Sequence, residues 1–398
     1  MIDLRDVMLI KCHHKSLSPL SEHGMSSQLQ KIYFIEVLRG FSSLFVVAYH
    51  VAGVLMGAYS FWPGMGRDLF KNGNAGVDIF FMISGFIICF ATQKKESAFR
   101  SNFLIRRFFR IYPLFIICLS IAWLTYNFRY PLSQYIYSST LMLNDYSGRA
   151  PFFGYNMLYP AWTIAYEVLF YLVFFIAMSV SHKHRMIISS AIIVVSMVVI
   201  QLLFKGQISF YGGFSSYSES MGAFSPLLTM MGSPMMLEFV NGMFFYVIFS
   251  NYKANNSVVL ACSFMILALA STSMFGIFNV EMHGITEKGA IAAAIFISFM
   301  FAEIYGLQIK STLTKFFSDI SYSLYITHVI VLRYYLDVMK HFGFSDYPKG
   351  IFSFVMIFIM CIAVAFIFHI TIEKYFIMLG KRLISLKADK VIRSKSAY

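Results

Sequence analysis

The chain has 398 residues, of which 58% are hydrophobic, 18% aromatic and only 13% charged, with a mean hydropathy of +0.68. Ordinary soluble proteins carry about 25% charged residues, so a soluble globule of this composition would expose large apolar patches; a disordered chain needs the opposite balance. The 32 Lys and Arg outnumber the 19 Asp and Glu, giving +13, which reads as basic cytoplasmic loops of a membrane protein rather than a nucleic-acid surface.

In chain order, residues 1–32 form a polar segment without the apolar core of a signal peptide, and Met25 is a candidate alternative start that would make 1–24 dispensable. Apolar runs of spanning length then fall at about 33–57, 75–93, 111–128, 158–181, 186–204, 232–250, 257–277, 288–305, 320–337 and 350–372. The Gly- and Ser-rich stretch 206–234 is a candidate re-entrant segment. With the N-terminus inside, cytoplasmic segments hold 22 Lys and Arg and outer segments hold 8, counting Lys288 at the edge of the eighth span with the outer side. The expected fold is therefore an all-α integral membrane bundle of about ten transmembrane helices, both termini cytoplasmic, multi-pass in the cell inner (plasma) membrane. It divides into the N-terminal segment 1–32, a transmembrane domain 33–372 and a basic cytoplasmic tail 373–398. The five cysteines, Cys12, Cys89, Cys118, Cys262 and Cys361, form no CxxC pair and support neither a disulfide framework nor a zinc site.

Ionisable groups at membrane depth are costly unless paired or wetted, so each is a functional candidate. The first span carries Glu36, Arg39 and His50. Eleven residues from Arg39 to His50 make about three turns, with a residual rotation of about 20°, so both face one way, with Ser43 between them. Glu36 lies one turn below, and a structural Glu–Arg pair is the plainer alternative. Asp78 and Ser84 follow in GVDIFFMISGF, and Thr163, Glu167 and Tyr171 share a face in PAWTIAYEVLFYL. His50, Asp78 and Glu167 lie at similar depths below the outer surface, so a carboxylate is expected to fix the His50 tautomer. A carboxylate that only packs helices is the alternative for Glu167. In FLIRRFFRIYP, Arg106, Arg107 and Arg110 cluster at the cytoplasmic surface, suited to phosphates or to anionic lipid headgroups. Ser321, Tyr325 and His328 share a face of the ninth span, with His328 about two turns from the cytoplasmic side. A hydroxyl-rich seam between helices serves equally there. Glu238 with Asn241, and Arg333 with Asp337, read as structural.

LRGFSSLFVVAYH, GVDIFFMISGFI, RRFFRIYP, WTIAYEVLFY and SYSLYITH, in that order, resemble the membrane-bound acyltransferase 3 family, which includes O-acetyltransferases of O-antigens, exopolysaccharides and peptidoglycan. The resemblance runs from Lys31 to Glu373. It implies an Arg-x10-His pair at Arg39 and His50, with the histidine catalytic. It also implies acyl-coenzyme A binding at Arg107 and Arg110, and family motif positions at Asp78, Phe80, Phe81, Ser84 and Gly85, at Trp162, Glu167 and Tyr171, and at Ser321, Tyr322, Tyr325 and His328. Two departures stand out. The chain stops about 25 residues past the tenth span, without the hydrolase-like domain of some relatives, and Glu373-Lys374-Tyr375 replaces the family's Glu-Arg-Pro.

The expected activity is O-acyl transfer, most simply acetyl from acetyl-CoA, to a hydroxyl of a cell-envelope glycan or lipid-linked saccharide. His50 serves as base or acyl carrier, Arg39 orients the donor, Asp78 or Glu167 orients His50, and Arg106, Arg107 and Arg110 hold the donor. No metal, permanently bound cofactor or nucleic-acid partner is expected. The alternative is an exporter of a glycan or small molecule that uses the same polar seam without chemistry. Outer aromatics Tyr130, Tyr135, Phe152, Phe153, Tyr155 and Tyr211 suit sugar stacking or an interfacial belt.

Overall fold

A computed structural model describes residues 31–125, 130–252, 256–278, 280–343 and 348–396. Residues 1–30, with Cys12 and Met25, lie outside the described residues. Among the described residues the chain is all-helical. In order run α1 (Tyr33–Val51), α2 (Met65–Phe70), α3 (Gly76–Ala91), α4 (Phe99–Thr125), α5 (Leu132–Ser139), α6 (Ala161–Val180), α7 (Arg185–Lys205), α8 (Ser225–Met231), α9 (Met236–Asn251), α10 (Val258–Ile277), α11 (Lys288–Ile304), α12 (Thr312–His341), α13 (Ile351–Phe368) and α14 (Lys374–Ser396).

Each of the ten expected spans contains a helix. Eight helical stretches are long and apolar enough to cross a membrane. The other two expected spans fall on α11, which has 17 residues, and on α12, which carries Lys315, Asp319, Arg333, Asp337 and Lys340 along its length. α12 begins at Thr312, earlier than the apolar run, because the Ser311 hydroxyl caps it by accepting from Leu313 N at 3.1 Å. His328 therefore sits more than four turns into the helix rather than two. The stretch 206–234 holds a 3₁₀ turn (Glu219–Phe224) and the short α8, with Met230 and Met231 buried. Cys89, Cys118, Cys262 and Cys361 are free thiols.

α1 runs through the centre, packed along α12 and against α3; α3 lies along α9, α13 covers α12, and α14 returns along α4. The first backbone amides of α1 have no intrahelical acceptors. Glu303, at the end of α11, supplies them: its carboxylate accepts from Tyr33 N at 3.0 Å and Phe34 N at 2.5 Å. A carboxylate at a helix N-terminus also suits the helix dipole.

The contact of α3 with α9 depends on two glycines. A Cβ on Gly85 would lie 2.1 Å from the Phe239 carbonyl oxygen, and one on Gly242 would lie 2.0 Å from that of Met82. The backbones thus touch in the small-residue manner of membrane helix pairs. Gly85→Ala or Gly242→Ala should destabilise the fold by about 1–3 kcal/mol or more, since the obstacle is backbone that cannot swing away. Thermal unfolding of the detergent-solubilised protein checks this; unchanged melting would mean that the two helices are not in backbone contact.

Candidate active site

The polar stripe of α1 faces α12, as the eleven-residue spacing requires. Buried Arg39 donates to Ser321 Oγ at 2.9 Å, and His50 Nδ1 lies 3.3 Å from His328 Nε2. Glu36 does not form the Glu–Arg pair of the plainer alternative. It pairs with Lys31 at 2.8 Å, because one turn below Arg39 already brings it to the end of the helix.

The His50 tautomer is set without a carboxylate. Its Nδ1 is 2.9 Å from the Val46 carbonyl, and His328 Nδ1 is 3.2 Å from the Leu324 carbonyl. A carbonyl only accepts, so both Nδ1 atoms carry the proton. His328 Nε2 is then a bare lone pair facing the His50 Nδ1–H, and His50 Nε2 is left unprotonated, as a general base requires. The expectation that Asp78 or Glu167 fixes this imidazole fails on neighbours. Glu167 accepts from Ser84 Oγ at 2.8 Å and Tyr171 Oη at 2.6 Å, while Asp78 is fully buried and bound to His283 Nδ1 at 2.7 Å and Gly284 N at 3.0 Å. Glu238 is buried beside Asp78.

His50 and His328 open onto a cavity of about 200 Å³ whose wall includes Tyr49, Asn74, Arg149, Phe152, Tyr155, Tyr159, Trp162 and His283. Phe152, Tyr155 and Tyr159 form a continuous stack, with ring centroids 5.0 and 4.2 Å apart. The loop that presents them holds Phe153 and Tyr155 at positive φ, a conformation that non-glycine residues seldom adopt. It is braced by Asn144 N donating to Tyr155 O at 2.7 Å and Asp145 N donating to Phe153 O at 3.0 Å. Of the outer aromatics singled out from sequence, Phe152 and Tyr155 line the cavity. Phe153 is buried, Tyr135 stacks on Trp123 at 5.0 Å, and Tyr130 and Tyr211 are exposed.

Val77 and Tyr325 are shared with a second, narrower void of about 20 Å³ lined by Ser84, Thr163, Glu167 and Tyr322. Thr163 Oγ1 and Tyr325 Oη meet at 2.8 Å across it. Beyond Glu167 the polar path continues through the Tyr171 hydroxyl to Arg107, whose guanidinium lies 4.7 Å from the Tyr171 ring centroid. Arg107 lines a third void, of about 30 Å³, with Lys94, Glu96, Phe99, Arg106 and His182. Burial and the neighbouring Arg185 hold the His182 imidazole below its ordinary pKa, so the positive charge in this void comes from Lys94, Arg106 and Arg107.

The three arginines do not act alike. Arg106 pairs with Glu96 at 2.8 Å near the surface. Arg110 is buried and bound to Glu373 at 2.6 Å. Arg107 forms no ion pair among the described residues; its guanidinium lies against the Tyr171 and Phe103 rings. Three residues apart on α4, Arg107 and Arg110 diverge enough for Arg110 to turn to the π-helical turn His369–Glu373, so the two take different partners. Glu373 also accepts from Ser323 Oγ at 2.5 Å and meets His369 Nδ1 at 3.0 Å. It keeps a structural place even though the proline and arginine after it are missing. Asn74, His283 and Glu373 did not emerge as site residues from the sequence. The available signal was Asp78 itself, a buried carboxylate that needs a donor.

Residues 32–370 match the family model described as an acyltransferase domain. The chain is also 26% identical over 275 residues, covering 66% of this chain and 78% of the relative, to the exopolysaccharide production protein ExoZ of Rhizobium meliloti (strain 1021). No solved structure matches.

Proposed function

Because this chain belongs to the acyltransferase 3 family, we propose that it transfers an acyl group, most simply acetyl from acetyl-CoA, to a hydroxyl of an exopolysaccharide or its lipid-linked precursor. The observation that carries this reading is the His50–His328 pair, which presents an unprotonated Nε2 at a cavity walled by aromatic and polar side chains. The name of the similar Rhizobium protein supports the polysaccharide class. Aromatic faces with a few placed polar groups suit a sugar ring.

With both termini cytoplasmic, the Arg107 void lies at the inner surface and the histidine cavity toward the outer one. Arg107 would hold a donor phosphate, and the thioester arm would follow the path past Tyr171, Glu167 and Tyr325. The acceptor oxygen attacks the thioester carbonyl carbon while His50 Nε2 takes the hydroxyl proton. The carbon–sulfur bond breaks, and the leaving thiolate takes that proton from the imidazolium. His328 Nε2 accepts the hydrogen bond from His50 Nδ1–H throughout and steadies the transient charge. Arg39, held by Ser321, would fix the α1–α12 contact beneath the histidines.

The test is transfer of label from [¹⁴C]acetyl-CoA to glycan fractions by membranes containing the protein. Arg107→Ala should raise the donor KM about 10- to 100-fold, the loss of one charge-assisted contact, while Arg106→Ala changes it little, because an exposed ion pair contributes little. Absence of label in every glycan fraction would favour the exporter instead.

A further inference from the structure

The cavity holds a second hydrogen-bonded chain that the reaction above leaves unused. Asp78 Oδ2 accepts from His283 Nδ1, and Gly284 N donates to Asp78 Oδ1, so in the neutral imidazole the proton sits on Nδ1 and Nε2 is an acceptor. Among the described residues, the hydrogen-bonding group against that Nε2 is Asn74 Nδ2, at 3.4 Å. The Asn74 amide must therefore turn its NH₂ to His283, and this fixes which way its oxygen points. Asn74 Oδ1 is buried and has no hydrogen-bond partner among the described residues. Buried amide oxygens are nearly always satisfied, and Asn74 lines the same cavity as His50.

We propose that Asn74, oriented by the Asp78–His283 pair, is an acceptor-positioning residue: its Oδ1 takes a hydrogen bond from a second hydroxyl of the pyranose ring whose first hydroxyl His50 deprotonates. This rests on the acyltransferase reading and adds to it that the acceptor is a polyol ring read at two hydroxyls. Asp78 then acts through His283 on substrate orientation, not on the His50 imidazole. The chain runs from α3 to the loop before α11 and back to the 3₁₀ turn Gly73–Ala75, so it ties together the wall facing α1 and α12.

The experiment uses full-length protein in membranes with [¹⁴C]acetyl-CoA as donor. Methyl β-D-glucopyranoside, methyl β-D-galactopyranoside and their monodeoxy analogues serve as acceptor probes. Wild type should lose about tenfold in kcat/KM for one particular monodeoxy analogue, the cost of a buried hydrogen bond left unmade. Asn74→Ala should lower kcat/KM for the parent sugar by the same factor and no longer distinguish that analogue, with acceptor-independent hydrolysis of acetyl-CoA unchanged. His283→Gln, which removes the fixed acceptor at Nε2, should blunt the same discrimination. The proposal is overturned if Asn74→Ala keeps the discrimination, if it slows all probes and donor hydrolysis alike, or if wild type hydrolyses the donor but acylates no pyranoside. Absence of donor turnover in wild type would contradict the transferase reading and, with it, this proposal; loss of discrimination alone separates the two.

Discussion

Replacing His50 with Ala or Gln should abolish label transfer from [¹⁴C]acetyl-CoA, lowering kcat by about 10²- to 10⁴-fold, the contribution of a placed general base. The reason is geometric: Val46 O and His328 Nε2 both lie on the Nδ1 side, so only Nε2 is left to take a proton. Gln keeps hydrogen-bonding capacity but cannot accept and return a proton, so it should be as inactive as Ala. Donor binding at Arg107 should persist in both variants, with KM within about twofold of wild type, because KM reports binding wherever chemistry is slow. A Gln variant that retains activity would show that His50 positions substrate and does no proton transfer.

The largest effect on stability is expected at Arg110. Arg110→Ala leaves the Glu373 carboxylate buried without its cation and should cost about 3–5 kcal/mol. The double variant Arg110→Met with Glu373→Leu should recover most of that loss, since an apolar pair of similar volume avoids the unpaired charge. Thermal inactivation rates in detergent, which report kinetic stability where unfolding is irreversible, distinguish the three proteins. If Arg110→Ala is as stable as wild type but raises the donor KM, Arg110 belongs to the donor site after all.

What one strand of sequence reveals here is depth and helical face. The stripe from Arg39 to His50 was legible because eleven residues close three turns, and the structure sets both residues against α12. The shared faces of Ser321, Tyr325 and His328, and of Thr163, Glu167 and Tyr171, were legible for the same reason. Which helices are neighbours was not. Asp78, Glu167 and His50 are expected from sequence at comparable depth, but the buried carboxylates find Gly284, Ser84 and other partners through packing that no periodicity encodes. Asp78 meets His283, 205 positions along the chain, on a loop that carries no pattern of its own. Arg107 and Arg110 look equivalent as a motif, and only the turn at Glu373 distinguishes the guanidinium paired with a carboxylate from the one packed on the Tyr171 ring. The charge pattern of α12 hid its true start, because Lys315 and Asp319 pair with each other one turn apart and so tolerate an end that hydropathy alone would trim.

The most direct measurement is the content of ester-linked acyl groups in exopolysaccharide from cells producing wild-type protein, His50→Gln or no protein, at matched polysaccharide yield and protein level. An acyltransferase that works through His50 should give acyl esters with wild type alone, and none with His50→Gln, as in cells without the protein. Equal ester content in all three, with yield falling only where the protein is missing, would contradict this reading and identify the chain as an exporter.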